Sequence, residues 1–170
     1  ASGVLIMFLK PFKIGDEVKM QGSYSFVKEI QIFHTVLKNF DNTETIIPNS
    51  IIMSGTIQNM SKPEVRRILT TIRVAFNEDL EKVETIIKDV AASMPGVVTD
   101  PRIWYSNFDP HFVQITAVFE ANQNGFWTVS HASRKNLIQA FAKNNIKVAY
   151  PTGVVMGEYG VIENGHEGMK

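Results

Sequence analysis

The hydrophobic and polar positions along this chain change rhythm twice. Residues 1–9 are almost uninterrupted apolar, residues 17–58 fall into short runs without helical periodicity, and from residue 66 strand-like runs alternate with helical ones. In the middle section, runs at 17–20, 26–30, 31–40, 45–47 and 51–58 predict five short strands in meander order, a small β-domain. Gly22 supplies a turn at positive φ, and Asp41-Asn42 between two runs fits a tight hairpin turn because both residues tolerate that backbone region. Ser61-Lys62-Pro63-Glu64 then separates two β-rich parts and is the candidate domain boundary.

The second half opens with a strand over 66–75, after which Asn77 is placed to cap a helix whose positive end Glu78 and Asp79 favour. Leu80, Val83, Ile86, Ile87, Val90, Ala91 and Met94 recur at three- and four-residue steps, one apolar stripe that Pro95-Gly96 ends. Val113, Ile115, Ala117 and Phe119 alternate with Gln114, Thr116 and Glu120, with Val118 alone breaking the polar side. Residues 103–106 read as the partner strand across Asp109-Pro110. A second helix from about Trp127 presents Leu137, Ala140 and Phe141, and Asn144-Asn145 ends it through a left-handed residue. The order is β, α, β, β, α, with 146–149 as an added edge strand. Val154-Val155-Met156, bracketed by glycines, has no obvious partner within the chain. It either joins the preceding sheet or closes with copies from other subunits into a barrel, which would remove its exposed edges. Residues 163–170 read as a mobile end.

The apolar opening is too short to cross a bilayer, which takes roughly 20 such residues. It has neither the positive start nor the small-residue cleavage site of a secretory signal. Two readings stay open, the end of a longer membrane helix and a buried first element. Under the first, Lys10 and Lys13 put the rest of the chain on the cytoplasmic side.

Composition narrows the function. Seventeen basic residues balance seventeen acidic ones, so the chain has no overall charge with which to hold nucleic acid. With no cysteine, disulfides, thiol nucleophiles and cysteine-based metal sites are excluded. The four histidines, at 34, 111, 131 and 166, lack metal-ligand spacing; no phosphate-cradling glycine loop joins a strand to a helix; and Ser130-His131 lacks an orienting partner. No catalytic residue, metal or cofactor is expected, and the chain does not read as an enzyme. Phe26, Phe33 and Phe40 could form a base-stacking platform, but without a basic surplus they read as core.

Several short motifs, each weak alone, fall in a telling order: Ala1-Ser2-Gly3-Val4-Leu5-Ile6-Met7-Phe8, Lys10-Pro11-Phe12-Lys13-Ile14-Gly15-Asp16, Gln31-Ile32-Phe33, Ile47-Pro48-Asn49, Asn59-Met60-Ser61, Val65-Arg66-Arg67 and Tyr150-Pro151. In this order and spacing the chain resembles the cytoplasmic part of the small-conductance mechanosensitive channel family, MscS. The resemblance implies an α+β fold in five parts: 1–10, the end of a pore-lining membrane helix; 11–63, a small Sm-like β-barrel domain; 64–151, an α/β sandwich of ferredoxin-like type; 152–162, a strand of an intersubunit β-barrel; and 163–170, a flexible tail. It implies a homoheptamer in the bacterial inner membrane, this portion cytoplasmic. The bilayer would be reached through helices upstream, with ions and small osmolytes as permeants and no nucleic acid. Gly3, Val4, Met7 and Phe8 would couple the pore helix to the corner Pro48-Asn49-Ser50; Lys10 and Lys13 would sit at the membrane interface; and Val154, Met156 and Tyr159 would be barrel positions. The chain departs from the family at Ser25, where a second turn glycine is frequent, at Asn42, where glycine is common, and at Ser50, where prototype members have a glycine approaching the pore helix. A rival reading rests on the β-domain alone, a soluble Sm-like ring that binds nucleic acid or a regulatory ligand. It leaves the apolar opening unexplained.

Overall fold

The computed structural model of the chain describes residues 2–149 together with 155–156 and 162–163. Two compact units, Ala1–Glu64 and Val65–Lys170, each carry their own antiparallel sheet and apolar core.

The first unit begins with α1 (Ser2–Leu9) and continues through β1 (Glu17–Met20), β2 (Ser23–Ile30), β3 (His34–Asn39), β4 (Glu44–Pro48), α2 (Asn49–Ser54) and β5 (Ile57–Asn59). Its sheet has the order β4-β3-β2-β1-β5, so the last strand returns beside the first. Gln21 and Gly22 form the β1–β2 hairpin with both φ angles positive, 51° and 81°, the geometry whose twist matches that of the flanking strands. Asn42, at φ 68°, turns the chain between β3 and β4.

Three expectations are corrected here. Ser25 lies not in a turn but inside β2, fully buried, its Oγ donating to Asn39 Oδ1 at 2.7 Å. Phe26, Phe33 and Phe40 are exposed rather than core. Strand alternation sends Ser25 and Val27 inward, which turns Phe26 outward, where it meets Phe40 edge to face at 5.3 Å between ring centres. The run at 51–58 is not one strand: its first part is the helix α2, and only Ile57–Asn59 pairs, with β1. The β-branched pair Ile51-Ile52 favours a strand locally, but tertiary contacts prevail, since Ile52 is in the core and Met53 packs against it, consecutive positions that a strand would send to opposite faces.

The second unit consists of β6 (Val65–Ala75), α3 (Leu80–Ala92), β7 (Arg102–Asp109), β8 (Phe112–Asn122) and α4 (Phe126–Lys143), with a 3-10 turn, Gln123–Gly125, before α4. The sheet order is β6-β8-β7. Beyond β6, Val148 bridges Val74 antiparallel, with Ala75 N donating to Lys147 O at 2.8 Å and Ala149 N to Arg73 O at 3.0 Å. The segment at 146–149 is thereby a fourth edge position, and the whole is a βαββαβ sandwich of ferredoxin-like topology. The apolar stripe of α3 and residues Val129, Leu137 and Phe141 of α4 pack on the inward positions of the sheet, Ile68, Val74, Val113, Ile115, Ala117 and Phe119. The cap of α3 is Asp79 rather than Asn77, accepting from Glu81 N at 3.0 Å and Lys82 N at 3.2 Å. Asn77-Glu78 instead belongs to the turn leaving β6, where Glu78 N donates to Ala75 O and Glu78 Oε1 accepts from Lys147 N. Asn145, at φ 57°, ends α4.

On the other face of this sheet Glu120 accepts from Arg67 Nε at 3.0 Å, Arg102 Nη2 at 2.6 Å and Thr99 Oγ1 at 3.2 Å, one carboxylate tying β6, β8 and the approach to β7. These partners, the Arg67 hydrogen bond first, hold its carboxyl below the usual range. Val118, flanked across the ladder by Leu69 and Arg102, is only 1% exposed on this polar side. Long neighbours with apolar stems can cover such a position, which accounts for the break in the alternation. On the helix side Tyr105 donates its hydroxyl to Glu84 of α3 at 2.6 Å; burial, with this carboxylate, raises the phenol to about 12. Near the C-terminus, Val155–Met156 pairs with Ile162–Glu163 as a short antiparallel hairpin, so Met156 does have a partner within the chain. Val154 and Tyr159, and the tail beyond Glu163, lie outside the described residues.

Candidate coupling site between the first helix and the sheet

α1 is apolar nearly all round, yet it commits one side chain to the core. Ile6 is fully buried in the cluster of Phe12, Val18, Met20, Val27, Leu37, Ile47 and Ile52, whereas Val4, Leu5, Met7, Phe8 and Leu9 are exposed, Phe8 at 82%. Burying an isoleucine side chain is worth about 1.5–3 kcal/mol, enough to seat a short helix that could not hold its shape alone. α1 thus packs against α2, with Ile6 and Ile52 in one core. Of the coupling residues expected from the sequence, Val4, Met7 and Phe8 lie on α1 but outside the core, and Gly3 is in its first turn. Ile6, the residue that makes the attachment, was not singled out, because in an all-apolar run no polar face marks the buried side. Lys10, at φ 45°, closes the helix by donating its N–H to Ile6 O at 2.9 Å; Lys10 and Lys13 are exposed.

The corner below α1 is built on Asn49. It is 1% exposed, and its side-chain amide and backbone N–H are all engaged. Its Nδ2 donates to Gln31 O at 2.8 Å and Ile32 O at 3.1 Å, its Oδ1 accepts from Thr35 Oγ1 at 2.8 Å, and its backbone N–H donates to Phe33 O at 2.8 Å. The side chain thereby fixes the bend between β2 and β3 to the start of α2, which joins two of the sequence motifs, Gln31-Ile32-Phe33 and Ile47-Pro48-Asn49. Pro48, at φ −56° and ψ 133°, ends β4 in the extended backbone that proline favours and is exposed, as is Ser50. The three corner residues are therefore adjacent but unequal, with Asn49 alone inside.

A second polar clasp joins two further motifs. Asp16 Oδ2 accepts from Lys13 N at 3.1 Å and from Asn59 Nδ2 at 2.7 Å, and the same amide reaches Pro11 O at 3.1 Å. Asn59 Oδ1 accepts from Ser61 N and Lys62 N, while Ser61 Oγ accepts from Glu17 N at 2.8 Å. The turn after α1 is thus tied to the strand by which the chain leaves the unit. Both networks consist of buried or half-buried amides and hydroxyls, with the buried carboxylate of Asp16 in the second, holding backbone groups. Such satisfied polar sets fix one geometry, and nothing in them is arranged to attack a substrate.

Comparison with known proteins decides what this arrangement belongs to. Residues 1–62 match the family model for the mechanosensitive ion channel beta-domain, and residues 68–148 match that for the mechanosensitive ion channel MscS C-terminal domain. The chain belongs to the MscS family. Among curated MscS relatives, the small-conductance mechanosensitive channel of Edwardsiella ictaluri is 29% identical over 153 residues, covering 89% of this chain and 54% of the relative. The small-conductance mechanosensitive channel MscMJ of Methanocaldococcus jannaschii is 30% identical over 160 residues, covering 91% of this chain and 46% of the relative. Among solved structures, Helicobacter pylori MscS in its closed state aligns with a TM-score of 0.81 at 25% identity, covering 89% of this chain and 61% of that one. Arabidopsis thaliana MSL1 shares the fold, with a TM-score of 0.70 at 22% identity, covering 88% and 57%. The chain spans about half the length of these two curated MscS relatives. Among the described residues no helix is long and apolar enough to cross a membrane. The MscS family is one of ion channels, not of enzymes.

Proposed function

We propose that this chain forms the cytoplasmic cage of a channel in the bacterial inner membrane that opens under bilayer tension and releases ions and small osmolytes during hypo-osmotic stress. In this reading the assembly is a homoheptamer and reaches the bilayer through membrane helices that precede α1. It binds no nucleic acid. The first unit is the Sm-like β-domain under the membrane, a role that its strand order, with β5 returning beside β1, supports. The second is the α/β wall of the vestibule, and Val154, Met156 and Tyr159 contribute to a barrel shared between subunits. Lys10 and Lys13 sit at the membrane interface, where basic residues favour the cytoplasmic side.

The observation that carries this reading is the seat of α1. Its apolar surface stays outside while Ile6 enters the core beside Ile52, so the helix is held to the β-domain at one point and presents Val4, Met7 and Phe8 to other structure. A tension-driven change in the pore helix would be transmitted through this seat to the Pro48-Asn49-Ser50 corner, because a stimulus shifts an equilibrium only through contacts that differ between states. Patch recording of the full-length channel tests it. Ile6→Ala and a bulky Ser50→Trp are expected to alter the opening threshold or the rate of inactivation. Unchanged threshold, opening and inactivation in both variants would overturn the coupling role.

A further inference from the structure

Asn124 is exposed in the 3-10 turn that leads into α4, and the residue after it is Gly125. Glycine following asparagine leaves the backbone nitrogen open to approach the side-chain carbonyl carbon, because no Cβ stands in the way. Two features surround this pair. Gly125 N donates to Asn122 Oδ1 at 2.8 Å, and Gly125 lies against Gly96 of the α3–β7 connection so closely that a Cβ added to Gly125 would come 3.3 Å from Gly96 Cα and 2.9 Å from Asn122 Oδ1.

We propose that Asn124 is a site of spontaneous deamidation and isoaspartate formation, and that Asn122 is its guard. In the reaction Gly125 N loses its proton and attacks Asn124 Cγ. A C–N bond forms while the bond to the side-chain amide nitrogen breaks, and ammonia leaves with the proton. Water then opens the cyclic imide at either carbonyl, giving aspartate or isoaspartate. In the closed turn the attacking nitrogen is occupied by Asn122, and helical backbone at Gly125, φ −90° and ψ −10°, continues into α4. The reaction therefore runs through local opening of the turn, the kind of low-cost fluctuation from which exchange and cleavage also proceed. The isoaspartyl product inserts an extra backbone carbon next to Gly125, where the crossing with Gly96 is so tight that even a methyl group on Gly125 would push its backbone aside by a few tenths of an ångström. The turn cannot close again over it, and the start of α4, which carries Phe126 and Val129 into the core, is permanently loosened. This inference concerns the second unit alone and stands whether or not the channel reading holds.

The test is peptide mapping of the intact protein aged in mildly alkaline buffer, following the species about 1 Da heavier at Asn124. Wild type is expected to convert slowly when folded and fast in urea, and Asn122→Ala roughly tenfold faster than wild type when folded, because opening no longer costs that hydrogen bond. Asn122→Asp, which keeps an acceptor for Gly125 N, should behave as wild type. The chain's other Asn-Gly pair, Asn164-Gly165, is followed beside it in each digest. Equal folded-state rates for wild type and Asn122→Ala would overturn the guard. A wild-type rate as fast when folded as in urea would overturn it as well, and that comparison still decides if Asn122→Ala fails to fold.

Discussion

Asn49 shows how much a single buried amide can organise. It connects the β2–β3 bend, a β3 threonine and the start of α2, with both its side-chain nitrogen and its side-chain oxygen engaged. Asn49→Ala leaves the buried Thr35 Oγ1 without its acceptor and removes the part-buried bonds to Gln31 O and Ile32 O, so we expect a loss of about 1–3 kcal/mol, read as a lower urea midpoint. Asn49→Asp should be no milder, since it turns a donor toward two carbonyls into a charge facing them. Two titrating residues of the second unit set opposite pH limits. Glu120 has a folded pKa below its unfolded one, so its stabilisation is complete above the unfolded value and is lost as pH falls through the folded one. Melting curves of wild type should drop through that acid window by more than those of Glu120→Gln. Tyr105 is raised from 10.0 to about 12, so folding favours its neutral form. That contribution is present below the unfolded value and declines as pH rises from about 10 to 12, and Tyr105→Phe should flatten the alkaline loss. Neither residue was legible as a pH-sensitive site, since Glu120 and Tyr105 look ordinary until the strands bring Arg67, Arg102 and Glu84 to them. Asn49, by contrast, could be named from its motif, though what it holds could not.

Among the elements, the one most visible in the sequence was α3, whose stripe from Leu80 to Met94 is written at helical spacing against polar neighbours. The hairpin of β7 and β8 was nearly as plain, because Val113, Ile115, Ala117 and Phe119 alternate with Gln114, Thr116 and Glu120 in the sequence. α2 was not legible. Six residues make fewer than two turns, and Ile51-Ile52 carries the stronger local preference for a strand, so only the contacts of Ile52 and Asn49 decide the outcome. The depth of α1 was hidden for another reason, since a wholly apolar segment has no polar side from which to infer the buried one. The structure separates its positions sharply. Ile6→Ala should cost about 2–4 kcal/mol by opening a cavity among Phe12, Leu37 and Ile52, and should speed amide exchange along α1. Phe8→Ala should leave the stability of the first unit within about 0.5 kcal/mol, since Phe8 touches solvent.

At the scale of the molecule, the division into Ala1–Glu64 and Val65–Lys170 places the change of unit beside Pro63. The family resemblance was legible in the order of short motifs, and the structure supplies their common reason: most of those in the first unit are the ends of two polar clasps. The heptameric assembly remains a proposal, and native mass spectrometry of the intact protein should find seven copies; a stable monomer would contradict the cage. The clasp of Asp16, Asn59 and Ser61 has a mechanical consequence. The chain comes into the sheet at Pro11 and leaves it at Lys62, and these two points are joined directly by side chains as well as through five strands. A pull on α1 would thus reach the linker at Ser61-Lys62 through this clasp and the β1–β5 ladder beside it, without passing through β2, β3 and β4. Cutting that bypass with Asn59→Ala should lower the rupture force of the first unit in single-molecule pulling from Ser2 to Lys62, and an unchanged force would mean the strands carry the load by themselves. With the clasp intact, the corner where β1, β5 and these side chains meet would be the tendon, and β2, β3 and β4 the ballast.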